Sequence, residues 1–257
     1  MARVFITGSA DGLGQMAAAL LVKQGHQVVL HARNADRGRH AMGRVPGAER
    51  VLISDLSSIE ETKNLATEAN SSGHFDAVIH NAGVYQDSTH DPTVDGLPLL
   101  FAVNSLAPYI LTALIQKPER LIYLSSGMHL QGSSKLDGIA NTKPGVRNTV
   151  TYSDTKLHDV ILCKAVARKW TDVYANAVNP GWVPTRMGGS SAPDNLEKGF
   201  QTQVWLAVSS DAKAKVSGRY FFHQKEDRYL SAADDFPLQE KFISICEQKS
   251  GIRFPSH

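Results

Sequence analysis

The chain has 257 residues, 42% hydrophobic and 20% charged, enough for a substantial core within one α/β domain. Its formal net charge of +2 is small, and even the densest basic run, residues 33–44, contains Asp36, so no nucleic-acid footprint is expected. No apolar stretch reaches the roughly 18–20 residues of a membrane span, and a first strand near residue 4 leaves no room for a secretion signal, so a cytoplasmic protein is expected.

In chain order, apolar runs at residues 4–7, 27–30, 50–53, 77–80, 120–124, 173–178 and 219–222 read as strands. They are short, β-branched and without polar alternation, which suits strands buried on both faces. Intervening segments such as 13–24 and 157–170 carry apolar residues at helical spacing. The alternation predicts an α/β fold with a doubly wound sheet of about seven parallel strands, right-handed crossovers and helices on both faces. Stretches 127–151 and 185–200 interrupt it with Gly, Ser, Asn and Pro, and are candidate substrate loops of a single domain spanning residues 1–257. Cys163 and Cys246, both in helical segments, are expected as buried thiols. The ten histidines show no ligand spacing, so no protein-held metal is expected.

Between the first strand and first helix, Thr7, Gly8, Gly12 and Gly14 form a TGxxxGxG turn. Residues lacking Cβ let the backbone approach an anion, and unpaired N–H groups at the helix start point at it. This placement is what a dinucleotide pyrophosphate requires of a Rossmann domain, with Gly8, Ser9, Asp11, Gly12, Leu13 and Gly14 as the NAD(P)-binding turn. After the second strand, where NAD-selective folds put an acid for the ribose 2′-hydroxyl, Ala32 is followed by Arg33. A guanidinium forks onto a 2′-phosphate, so NADP(H) is expected over NAD(H), with NAD(H) the lesser alternative.

Further along, Asn104 follows the apolar Phe101, Ala102 and Val103 and reads as a mid-helix polar residue able to hold a water in a relay to Lys156. The strand over residues 121–124 runs into Ser125 and Ser126, at the carboxyl edge of the sheet, where a hydroxyl can polarise a carbonyl. Tyr152 and Lys156 stand four apart and share one helix face, which sets an ammonium near a phenol. A free tyrosine ionises near about 10, too high for efficient proton exchange at neutral pH, and a neighbouring cation lowers that barrier.

At this point the chain resembles the short-chain dehydrogenase/reductases along nearly its whole length. The TGxxxGxG turn, Asp55-Leu56, Asn81-Ala82-Gly83, Asn104, Ser125-Ser126, Tyr152-x-x-x-Lys156 and Asn179-Pro180-Gly181 with Thr185 occur in family order. The resemblance implies that Tyr152 is the general acid/base, that Lys156 lowers its pKa and holds the nicotinamide ribose, that Ser126 orients the carbonyl oxygen, and that Asn104 supports the relay. Ser126 is chosen over Ser125 by position. It also implies a cofactor lined by Asp55 at the adenine amino group, Leu56, Asn81, Ala82, Gly83, Pro180 and Gly181, with Val183 and Thr185 at the carboxamide. Hydride would pass from NADPH to a carbonyl carbon while Tyr152 protonates the oxygen, or the reverse as alcohol oxidation.

The long gap from Ser126 to Tyr152, with Ser-Ser-x-x-His at residues 125–129, makes the chain most similar to the retinol-dehydrogenase-like branch, without implying a retinoid substrate. Two departures stand out. Asp11 occupies a position where some NADP-preferring relatives carry a base, and His80 one where many carry asparagine. Tyr85, His129, Leu130, Trp182, Met187 and Phe200 are candidate pocket residues, mostly apolar, which suits an apolar carbonyl or alcohol. A homodimer or homotetramer is expected, since relatives often pair through the helix carrying Tyr152. The rival readings are a nucleotide-sensing protein without turnover, and a sugar-nucleotide epimerase or dehydratase. The retained Tyr152 and Lys156 disfavour the first, and the short segment after Thr185 the second.

Overall fold

The computed structural model describes residues 1–85, 91–142 and 150–255. Of the expected substrate loop 127–151, residues 143–149 lie outside the described residues. One sheet holds eight strands: β1 (Arg3–Ile6), β2 (Gln27–Ala32), β3 (Arg50–Ile53), β4 (Ala77–His80), β5 (Arg120–Leu124), β6 (Tyr174–Asn179), β7 (Arg219–Phe222) and β8 (Lys225–Glu226). Their order is β3-β2-β1-β4-β5-β6-β7-β8, parallel up to β7. The order reverses beside β1, so a crevice opens at the carboxyl ends of β1 and β4, where open α/β sheets bind ligands.

The expectation of about seven strands is short by one. β8 is two residues long, and it pairs antiparallel with β7 across a turn that puts His223 and Gln224 at φ of 48° and 62°. A polar pair after such a reversal leaves no apolar run to read.

Alternate residues of each strand feed two cores, which is why the strands read as unbroken apolar runs. Phe5, Val29, Leu52, Val78, Leu121 and Tyr123 face one cluster, and Val4, Ile6, Val28, Leu30, Ile79 and Ile122 the other. Helices α1 (Gly12–Lys23), α2 (Ala35–Arg44) and α6 (Leu196–Val208) cover the second face. The first is covered by α3 (Ile59–Ser71), by α4, which is Leu99–Phe101 continued through the π-helical Ala102–Leu106 into Ala107–Leu114, by α5 (Tyr152–Lys169) and by α7 (Phe236–Ser250).

α5 begins five residues before its apolar periodicity does. A capping box sets the start: Thr151 Oγ1 accepts from Asp154 N–H, and Asp154 Oδ2 accepts from Thr151 N–H. The polar first turn it creates carries Tyr152 and places Lys156 one turn on. Cys163 and Cys246 are free and buried, as expected. Among the described residues no helix is long and apolar enough to cross a membrane, and no cluster of His, Cys, Asp or Glu could hold a metal.

Candidate active site

The three glycines of the first turn have different jobs. A Cβ on Gly8, whose φ is +62°, would meet Ala82 Cα at 2.7 Å, and one on Gly14 would meet the Gly8 carbonyl oxygen at 2.7 Å. These two allow the turn to lie directly on the end of β4. Gly12, at φ +56°, has no atom within 4 Å of its Cβ position, and no side chain caps α1. The turn therefore presents open space and a helix start without a side-chain cap, the arrangement that receives an anion.

Asn81 locks this turn to β4. Its amide donates to the carbonyls of Thr7 (3.0 Å) and Gly8 (3.1 Å), while Thr7 Oγ1 accepts from the backbone of Asn81 and Ala82. A second fastening comes from a residue the sequence reading passed over. His31, buried in β2, accepts from Gly8 N–H through Nδ1 (2.9 Å) and donates through Nε2 to the Ser54 carbonyl (3.0 Å). Only the neutral ring does both, and burial pushes its pKa down to about 4. Ser9 completes the junction, accepting from His31 N–H and donating to the Ile6 carbonyl.

Arg33 is exposed just past β2. One helical turn on, Arg37 donates to Asp11 across 2.7 Å, so the acid in the glycine turn is matched by a guanidinium on α2. Arg37 lies in the first turn of α2, its N–H donated to the Asn34 cap, and that cap is the signal that could have flagged it. Asp55, half-buried after β3, accepts from Ser57 N–H, and its neighbour Leu56 is in the core.

The Lys156 ammonium is buried. It donates to the Leu124 carbonyl at the end of β5 (2.7 Å) and to Asp159 (2.8 Å), and lies 5.6 Å from the centre of the Tyr152 ring. Burial alone would lower its pKa, but the charges of Asp159 and Tyr152 outweigh it and raise the pKa. A Cβ on Gly83 would lie 3.6 Å from this ammonium and 3.5 Å from Asn104 Oδ1, so the segment after β4 reaches both groups. Asn104 sits in the π-helical stretch, with its side chain engaged by Val84 N–H and C=O and by Thr155 Oγ1. A relay through Asn104 would therefore use its backbone, where π-helical turns often serve functional sites.

The two serines differ sharply. Ser125 is buried and donates its hydroxyl to the Lys156 carbonyl (2.7 Å), whereas among the described residues half-buried Ser126 only accepts, from Met128 N–H. The Ser126 hydroxyl proton is thus the one left to donate. His129, a candidate pocket residue, is fully buried. Leu230 N–H donates to its Nε2, so its proton is on Nδ1 and donates to the Ser126 carbonyl at 2.7 Å. Gly132 brings the same segment onto α5: a Cβ there would lie 2.6 Å from the Ser153 carbonyl oxygen.

After β6, Pro180 and Gly181 lead into a loop that folds back on itself. Asp194 accepts from Trp182 N–H, Thr185 Oγ1 accepts from Gly188 N–H, and buried Val183 sits against Gly199. Leu13 also lies against Gly199, which joins the glycine turn to this loop. Trp182, Met187, Tyr85 and Leu130 are exposed, and Tyr85 meets Tyr152 edge-on at 4.9 Å between ring centres. Phe200 packs against the core, and His80 is buried and stacks on Tyr123.

Fold and site together describe a nucleotide-binding α/β protein of the oxidoreductase type. The chain belongs to the short-chain dehydrogenase family, whose model matches residues 2–196. It is 45% identical to an uncharacterized oxidoreductase of Emericella nidulans, over 99% of both chains. To human retinol dehydrogenase 14 it is 28% identical, over 97% of this chain and 86% of that one, in keeping with the retinol-dehydrogenase-like branch. Among solved structures, an uncharacterized protein from Mycobacterium paratuberculosis superposes with a TM-score of 0.84 at 22% identity, covering 99% of this chain and 95% of its own. A metagenomic blue fluorescent protein in complex with NADPH superposes at 0.69 and 18% identity, covering 86% and 95%.

Proposed function

We propose that the protein is an NADP(H)-dependent oxidoreductase interconverting a carbonyl and an alcohol, with Tyr152 as general acid/base. The observation that carries this reading is the Lys156 ammonium, fixed to the Leu124 carbonyl at the sheet edge and 5.6 Å from the centre of the Tyr152 ring. A fixed cation beside a phenol favours the phenolate, which a tyrosine needs to exchange protons near neutrality.

The glycine turn fits a dinucleotide, since the space facing Gly12 is open and α1 lacks a side-chain cap. When bound, the nicotinamide supplies or accepts a hydride. Tyr152 gives a proton to the substrate oxygen in reduction and takes it in oxidation. Ser126 donates its free hydroxyl proton to that oxygen and holds it in place. Lys156 has a third N–H for the nicotinamide ribose, the other two being held by Leu124 and Asp159.

Preference for the 2′-phosphate rests on Arg33 after β2 and Arg37 against Asp11. The NADPH complex of a solved neighbour agrees with this reading. The exposed Tyr85, Trp182 and Met187 support an apolar substrate. We assign the protein to the cytoplasm, in keeping with its lack of long apolar helices among the described residues. Residues 153–163 of α5 are buried beneath neighbouring elements, α7 among them, so a homodimer or homotetramer would form through another face than that helix. Light scattering tests the assembly.

The decisive test is Tyr152→Phe. It should bind NADPH within a few-fold of wild type and lose about two to four orders of magnitude in carbonyl reduction. Undiminished turnover would overturn the reading.

A further inference from the structure

We propose that Asp159 is a positioning residue for this reaction: its carboxylate fixes the Lys156 ammonium and tempers the charge that Lys156 presents to Tyr152. The inference rests on the dehydrogenase reading of those two residues. Asp159 lies one helical turn beyond Lys156 on the same face of α5, and the side chains of the pair are only 5% and 4% exposed. An ammonium has three N–H groups. Asp159 Oδ2 and the Leu124 carbonyl take two of them at 2.8 and 2.7 Å, which leaves one and fixes its direction.

Two physical consequences follow. Burial works against the charged ammonium and the Asp159 carboxylate works for it, and the outcome is a Lys156 pKa raised above its ordinary value. The same carboxylate puts a negative charge within one helical turn of Lys156, and weakens the pull of Lys156 on a phenolate. The titratable groups that feel Asp159 are Lys156 and Cys163 on α5, Tyr123 on β5 and Tyr220 on β7. Burial raises the Asp159 carboxyl itself to about 6, against the attraction of Lys156. Above that pH the pair is ionised.

Asp159→Asn keeps an oxygen acceptor and removes the charge. It should bind NADPH within about three-fold of wild type and move the pH profile of kcat/KM for alcohol oxidation toward lower pH by about one unit. Below about pH 6, where the wild-type carboxyl is protonated, the two profiles should converge. Asp159→Leu removes the acceptor as well and should weaken NADPH about ten-fold, measured by cofactor fluorescence. Combined with Lys156→Met, it should add nothing to the loss caused by Lys156→Met alone.

A profile for Asp159→Asn that superimposes on wild type, or losses that add in the double variant, would overturn the proposal and leave Asp159 a packing residue. Absence of turnover toward all carbonyls and alcohols would instead sink the dehydrogenase reading, while the NADPH-binding cycle would still decide whether Asp159 acts through Lys156.

Discussion

Arg33 and Arg37 stand four residues apart, just before and just inside the start of α2, and among the described residues only Arg37 has an acid to hold, Asp11 in the glycine turn. The pair is partly exposed, so its contribution to stability is small. Under the proposed NADP(H) reading its consequence is for binding, because Arg37 offsets a negative charge that would repel a 2′-phosphate. Arg33→Ala and Arg37→Ala should each weaken NADPH by about ten-fold and NADH by less than about two-fold. Isothermal titration with both cofactors checks this, and equal losses for both would remove the NADP assignment. At this scale the sequence exposes residues whose chemistry is tied to local spacing. Tyr152 and Lys156 share a helix face, and Ser126 follows a strand, so all three can be picked out. His31 cannot, because its partner Gly8 is 23 residues away in the chain.

At the scale of the element, the glycine turn separates packing from binding. Gly14→Ala would press a methyl group against the Gly8 carbonyl and the Asn81 amide. Such overpacking costs about 1–3 kcal/mol. Gly12→Ala faces open space, and its positive φ costs about 1–2 kcal/mol. Its methyl group, however, would stand where the proposed cofactor's phosphate would be received. Gly14→Ala should therefore lower the melting temperature by several degrees, whereas Gly12→Ala should lose NADPH affinity out of proportion to its stability. Thermal unfolding beside fluorescence titration separates the two, and a Gly12→Ala protein that binds normally would count against the turn as the phosphate site. Elements with an apolar stripe were readable from the chain. The strand β8 was not, because a two-residue edge pair carries polar residues only.

Across the whole molecule, buried histidines set the response to acid. Burial depresses His31 and His158 to about 4 and His80 to about 3. His80 Nδ1 and His158 Nε2 have no partner among the described residues, so a proton there would go unpaired. Their folded pKa values lie below the unfolded value, so between pH 6.5 and about 4 the unfolded chain binds more protons. Stability from these rings is complete above 6.5 and drains away as pH falls through that window. Asp159 acts in the opposite sense, its carboxyl being raised to about 6, but it is one group against three. The melting temperature should fall by several degrees or more from about pH 7.5 to about pH 4.5, with a shallower slope in His31→Asn. A flat profile would show that these rings are not buried neutral.

By itself the sequence determined the doubly wound sheet, the glycine turn at its first strand and the Tyr152 and Lys156 pair, since apolar period, backbone freedom and helical spacing are local properties. Only the tertiary structure decided which serine keeps a free proton, which arginine meets Asp11 and how the turn is tied to His31. These depend on hydrogen bonds and ion pairs between segments far apart in the chain, and no local pattern encodes which of several chemically suitable partners a fold will bring within 3 Å.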